Sequence, residues 1–532
     1  MKLAAVGVAV LLGVSLCARG ERLIYHEIRT DEGGKIIPWS GPPSQAYDYV
    51  VRLVWKFWNG MEKCENGVPY YMQHMIWYPN RHSNGLGGDQ IPMALSSWNL
   101  LYGYLGDEAV KQNMVYMADY LLEHGLSKPA DAWSNTVFPY DTVHHSGVYD
   151  GDMVAGKGVL QPDKAASFAS ELVILYKMTG NRRYLDAAVK MADMLVKHVR
   201  PGDTDHSPWP YRVVAATGQT AQAKMTVEYF EAPNPGEVDM KRNHNIGASY
   251  TTNWTGALRL FDALAALKAG DATAYAKTKA VLAAWLKAYP FRSHKWGPFF
   301  EDVPTAMWSE TETNADTMAY YLLENPRFDP QAGEFARRAL DWSEAMFANR
   351  EWQDVGVLPI NEQTTYKQPG NSHSSRHASL ELLYGEKTGD RSREDAAIRR
   401  LNWATYMVDE NGRNMYPAVT RASASLAGSG AGHWLTDGYG DYARHYLRAM
   451  ASLPSLAPED QNHLLRTTSV IRNIAYTADG IRYEKFDGAS TERLKLGEWA
   501  PRSVTGGKMQ WDSKTKVLTV QSTANTVVIS RK

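Results

Sequence analysis

The sequence predicts an all-α ring of six helical hairpins with a small antiparallel β module at its C-terminal end. A unit of helix, tight turn and second helix recurs five times between residues 95 and 408. One more helix at each end of that region supplies a sixth pair. Beyond about residue 467 the helical period gives way to short β-branched runs separated by Gly, Asp and Asn.

The elements follow in order. Lys2 supplies a charge, Leu3 to Leu16 is an apolar run too short to span a bilayer, and Ala18-Arg19-Gly20 places small residues around a cleavage point. Residues 1–20 therefore read as an export signal, and the mature chain is expected to be secreted or periplasmic, with no membrane attachment. Cleavage leaves Cys64 alone, so no intrachain disulfide forms and a large core carries the stability. The first helix spans about 44–60. The repeats occupy 95–126, 168–199, 255–289, 318–347 and 379–408, and the last helix spans about 435–453. Gly106, Gly180, Gly270 and Gly389 stand where a helix C-cap takes a left-handed residue, and Asn325-Pro326 ends the corresponding helix in the fourth repeat. The ring then covers 21–455 and the β module 467–532.

Composition narrows the function. With 57 Lys and Arg against 58 Asp and Glu the net charge is −1, which carries no footprint of a nucleic-acid partner. Hydrophobic residues at 44% and charged residues at 22% exclude wholesale disorder. The chain holds 17 Trp and 30 Tyr but only 12 Phe, a bias toward aromatics suited to half-wet surfaces.

Turns inside the hairpins are short, but the connections between them, at about 61–89, 127–162, 201–247, 290–313, 349–374 and 409–434, are long enough to be functional. In a ring they emerge together on one rim, at the N-terminal ends of the inner helices. They carry aromatic, acidic, amide and cationic groups of the kind that bind sugars: Trp133, Asp152, Asn243, Trp308, His373, Arg376, His377 and Trp434. Acid–base chemistry needs paired carboxylates, and Asp163, Glu310, Glu312 and Asp316 stand at or near starts of inner helices, where they equally suit the helix dipole. Asn243, His244 and Tyr250 form a set that β-elimination on a uronide uses. The paired histidines His144-His145 and His373/His377 accompany no metal-binding motif, so no metal and no other cofactor is expected.

Over about residues 40–455 this pattern resembles the six-hairpin glycosidase group, the (α/α)6 toroids, which includes unsaturated glucuronyl hydrolases, β-glucuronidases, sugar epimerases and toroid polysaccharide lyases. The resemblance implies an acid at the mouth of an inner helix, which Asp163 matches best. It also matches Asn243-His244 to the pair that precedes an inner helix in toroid lyases. The epimerases' His-rich helical motifs are not seen. The expectation is an exported glycoside hydrolase acting on uronic-acid-containing or other acidic oligosaccharides or polysaccharides. In it, Asp163 or Glu312 is the acid, a second carboxylate activates water, and His244, Arg376 and His377 contact substrate. A polysaccharide lyase using Asn243, His244 and Tyr250 and a non-catalytic glycan-binding protein stay open beside it, and the sequence does not give the oligomeric state.

Overall fold

A computed structural model describes residues 26–72, 90–143, 146–152, 155–221, 246–299, 308–364, 367, 369–412 and 439–531. The twelve long helices described are α1 (Pro43–Asn59), α2 (Gln90–Leu105), α3 (Glu108–His124), α4 (Pro162–Thr179), α5 (Arg182–His198), α6 (Thr255–Leu267), α7 (Ala272–Ala288), α8 (Glu312–Glu324), α9 (Ala332–Phe347), α10 (Asn371–Thr388), α11 (Glu394–Thr405) and α12 (Tyr439–Ser452). The even-numbered helices touch in succession, and α12 closes on α2. The odd-numbered helices pack outside them, with α1 against α11 and α12.

Residue patterning sorts the two layers. Outer helix α5 buries Tyr184, Leu185, Ala188, Met191, Ala192 and Leu195, one stripe of a helix that is otherwise polar. Inner helix α4 buries every residue from Pro162 to Val173 except the half-buried Ser167, as a helix enclosed on all sides must. Gly106, Gly180 and Gly389 are left-handed, with φ of 69, 79 and 82°, and follow their helices as the expected caps. By contrast, α6 is capped by Lys268 at φ 53°, and Gly270, at 69°, lies two residues beyond it. The α8–α9 connection is longer than the other hairpin turns, because Pro326 and Pro330 keep the backbone from re-entering a helix. Two glycines let the inner wall close tightly. A Cβ on Gly256 would lie 2.6 Å from Cα of Ser167 in α4, and one on Gly440 would lie 2.6 Å from the Gln90 carbonyl oxygen in α2.

The C-terminal module has eight strands: β1 (His463–Thr467), β2 (Ile471–Thr477), β3 (Gly480–Lys485), β4 (Ser490–Lys495), β5 (Pro501–Thr505), β6 (Gly507–Asp512), β7 (Val517–Ser522) and β8 (Thr526–Arg531). They form two antiparallel sheets, ordered β6-β7-β4-β1 and β2-β3-β8-β5. Alternate residues such as Ile481, Tyr483, Leu494, Leu518, Val520, Val527 and Ile529 are buried. The strands begin at His463, ahead of the compositional change at 467, because the first residues of β1 belong to the seam with the ring. The His463 ring stacks on Tyr104 at 3.8 Å, and Leu464 lies over Gly103.

That seam lies at the C-terminal ends of the inner helices, whose last carbonyls lack helical partners. The Arg472 Nε donates to the Lys177 carbonyl in α4 at 2.8 Å, and the Arg493 guanidinium to the Ala451 carbonyl in α12 at 2.6 Å. The Tyr476 hydroxyl donates to the Gly103 carbonyl in α2 at 2.5 Å. Arg466 and Arg493 both pair with Glu386 near the end of α10, at 2.8 and 2.9 Å. The β module is thus fastened across one end of the ring.

Candidate active site

At the other end the described parts of four connections between hairpins meet. The Asp152 carboxylate accepts from Arg212 Nε at 3.0 Å and Gln161 Nε2 at 2.5 Å, joining two of the long loops to the start of α4. The Lys164 ammonium donates to the Phe299 carbonyl at 2.8 Å, and the Glu310 carbonyl accepts from the Thr364 backbone N–H at 3.0 Å.

Inside this rim lies a cavity of about 550 Å³, part of it continuous with solvent. Met93 of α2, Lys164, Ser170 and Glu171 of α4, Asn253 ahead of α6, Arg259 of α6, Thr313 and Thr317 of α8, and Arg444 of α12 all border it. Walls from five inner helices place it in the lumen of the ring.

Asp163 stands at the mouth, behind Lys164 and Asn253. Its Oδ2 accepts from Asn253 Nδ2 at 2.8 Å and lies 3.5 Å from the Lys164 ammonium. Its Oδ1 is buried with no hydrogen-bond partner among the described residues. Burial pushes the carboxyl pKa up, against the Lys164 charge and the Asn253 hydrogen bond. Glu171 lies two turns deeper on the same helix and makes no hydrogen bond or ion pair among the described residues. Burial raises its carboxyl to about 7, against the pull of Arg259, Arg444 and Arg448.

Glu312 differs from both. It accepts from His373 Nδ1 at 2.9 Å, from the Thr311 and Thr313 hydroxyls at 3.1 Å, and from Arg376. Burial opposes its ionisation, but the charges of His373 and Arg376 and these hydrogen bonds outweigh it and hold the group at about 2. It is therefore a fixed anion, and the expectation that it serves as an acid is corrected. Arg376 continues the network to Asp441 at the start of α12, which also pairs with Arg444 and with His445 at 3.0 Å. Burial lowers His445 to about 3 despite Asp441, so its imidazole is neutral.

The other expected site residues divide sharply. Glu310 accepts from the backbone N–H groups of Trp296 and Gly297, both at 2.8 Å, and from Trp308 Nε1 at 3.0 Å, which makes it an anchor of its own loop. Asp316 accepts from the Ser343 hydroxyl at 2.7 Å and His377 Nδ1 at 2.8 Å, inside the wall between α8, α9 and α10. His377 is wholly buried there, and His373 and Arg376 are committed to carboxylates, so none of the three takes the substrate-contacting role expected of it. Trp133 is 1% exposed and stacked on His198 at 4.5 Å. It anchors its loop and offers no face to a sugar. Asp152 clamps its loop as described. The Tyr250 hydroxyl donates to the Lys295 carbonyl at 2.6 Å, and burial pushes its pKa up, which removes it as a base. Trp308 is half-buried, beneath the Lys295 ammonium at 4.8 Å. Asn243, His244 and Trp434 lie outside the described residues.

Glu344, His377 and Glu381 are the described groups close enough together to hold a metal ion. Arg400 already bridges both carboxylates, at 2.7 Å to Glu381 and 3.2 Å to Glu344. A guanidinium thus fills the position a cation would take.

Sequence reasoning passed over Lys164, Glu171, Asn253, Arg259 and Arg444. A signal for part of this set was present. Asp163, Ser167 and Ser170-Glu171 recur every three to four residues down α4, a polar stripe on a helix otherwise built for burial.

No family model matches the sequence, and no curated protein matches it. Solved structures do. A sugar epimerase from a ruminal bacterium matches with a TM-score of 0.53 at 13% identity, over 76% of this chain and 98% of that one. A cellobiose 2-epimerase from Spirochaeta thermophila matches with a TM-score of 0.53 at 15% identity, over 78% of this chain and 97% of that one. The chain has the fold of the six-hairpin (α/α)6 toroids. At such identities the likeness is one of fold, and a fold hosts more than one reaction. Among the described residues of this toroid, no helix is long and apolar enough to cross a membrane.

Proposed function

We propose that this toroid is an exported glycoside hydrolase acting on uronic-acid-containing or other acidic oligosaccharides or polysaccharides. The observation that carries the reading is the Asp163 carboxyl, buried at the lumen mouth with a raised pKa and one oxygen without a partner. A general acid has to hold its proton near neutral pH and release it to a leaving oxygen within reach, and a desolvated carboxyl meets the first requirement. Lys164 and Asn253, both bordering the cavity, orient that carboxyl and stabilise the carboxylate left after proton transfer. The oxygens of Glu310, Glu312 and Asp152 are engaged by neighbouring donors, which leaves Asp163 as the carboxyl with a free oxygen at the rim among the described candidates.

Two other reactions find less support. Elimination by Tyr250 is disfavoured because its hydroxyl is donated to a carbonyl and buried. For epimerisation, the histidines described on the inner helices, His373, His377 and His445, are buried and bonded or paired to carboxylates.

The test is incubation with a panel of acidic polysaccharides and oligosaccharides, reading reducing ends and ultraviolet absorbance in parallel. Hydrolysis gives new reducing ends without a conjugated product, and Asp163→Asn lowers that rate about 10²- to 10⁴-fold while the fold persists. Ultraviolet-absorbing product would replace this reading with a lyase. Neither signal on any substrate would leave a glycan-binding protein.

A further inference from the structure

Glu171 and Arg259 are charged groups beside the same cavity, and neither makes a hydrogen bond or an ion pair within 4.0 Å among the described residues. Glu171 is 9% exposed, so an unpartnered carboxyl nine-tenths buried faces the lumen. Arg444 closes the group from α12. One arm of its guanidinium is bound to Asp441, while its Nε is buried without a partner. Leaving buried polar groups unpaired is costly, so such a cluster marks a place completed by something else. The cluster lies about 12 Å below Asp163 along the helix, at eight residues and about 1.5 Å each. Two turns of helix thus separate the cluster from Asp163.

From this we infer that Arg259 and Arg444, with Glu171 between them, form a subsite in the lumen for the carboxylate of a uronic acid. The inference deepens the hydrolase reading and rests on it for the nature of the ligand. A planar carboxylate matches the fork of donors that a guanidinium presents. With the ligand's negative charge between two arginines, Glu171 stays protonated and donates its O–H to a ligand oxygen, so that two carboxyl groups share the space without repulsion. The groups acting on Glu171 are Arg259 from α6 and Arg444 and Arg448 from α12. Lys164 of its own helix α4 also borders the cavity, while α2 and α8 supply the uncharged Pro92, Met93, Thr313 and Thr317. Binding should therefore take up a proton above neutral pH, and a neutral sugar should not.

The experiment is calorimetric titration of the full chain carrying Asp163→Asn, so that turnover plays no part, with sodium D-glucuronate and sodium D-galacturonate against glucose and galactose. At least one acid is expected to bind about tenfold or more tightly than its neutral parent, the scale of one charge-assisted contact. Arg259→Gln should remove that preference at unchanged melting temperature. Glu171→Gln should retain binding at about pH 6 but abolish both the proton uptake, read in buffers of different ionisation enthalpy, and the loss of affinity toward about pH 8. Three results would each overturn the subsite: no preference for either acid, a preference that survives Arg259→Gln, or proton uptake that survives Glu171→Gln. Because the readout is binding, the subsite can fail while hydrolysis stands, and hydrolysis can fail while the subsite stands.

Discussion

Burial pushes the carboxyls of both Glu312 and Glu171 up, and their partners decide where each ends. Glu312 has an imidazole, a guanidinium and two hydroxyls around it and sits at about 2. Glu171 has guanidiniums only at a distance and rises to about 7. Each then imposes its own pH dependence on stability. The Glu312 contribution is complete above its unfolded value near 4.5 and is lost as pH falls through about 2. The Glu171 contribution is complete below about 4.5 and is lost as pH rises through about 7. Melting temperature measured across this range should therefore fall between about pH 5 and 8, and Glu171→Gln should flatten that slope while leaving the acid limb unchanged. Glu312→Gln is expected to cost about 3 kcal/mol in denaturant unfolding, because Arg376 and His373 would be left facing a neutral amide. Asp163 was legible in the sequence because it sits two residues into a strongly signalled helix. Glu171 and Arg259 were not, because one acidic or basic residue inside a helix looks the same from the chain whether it faces a lumen or water.

At the scale of the element, the helices were legible because their apolar periods and capping glycines are local signals, and the left-handed glycines stand where the turns need them. The loops were misjudged for the opposite reason. Trp133 is expected from the sequence to meet sugar and Tyr250 to act as a catalytic group, yet both are buried. A connection of several tens of residues holds a shape only by sinking large side chains into the body beneath it. What sequence alone could not convey was how closely the inner helices approach. Gly256 meets the backbone of Ser167 at the edge of the cavity, so Gly256→Ala should force α4 and α6 apart at a cost of about 1–3 kcal/mol. The expected result is a lower melting temperature together with a raised KM, since Ser167 and Asn253 border the same space.

Across the whole molecule, the ring and the strand module were both anticipated from composition and period, but not their attachment, because the contacts join residues hundreds of positions apart. Arg472 reaches Lys177 and Tyr476 reaches Gly103, pairings no local pattern encodes. The arginines of the seam should act on stability alone. Arg466→Met with Arg493→Met would strip the half-buried Glu386 of both partners and lower unfolding stability by about 1–2 kcal/mol, while kcat/KM stays at its original value. The same attachment divides the two ends of the ring: the strands seal against the last turns of α2, α4 and α12, so a change at that seam can be read separately from one at the rim of Asp163 and Lys164.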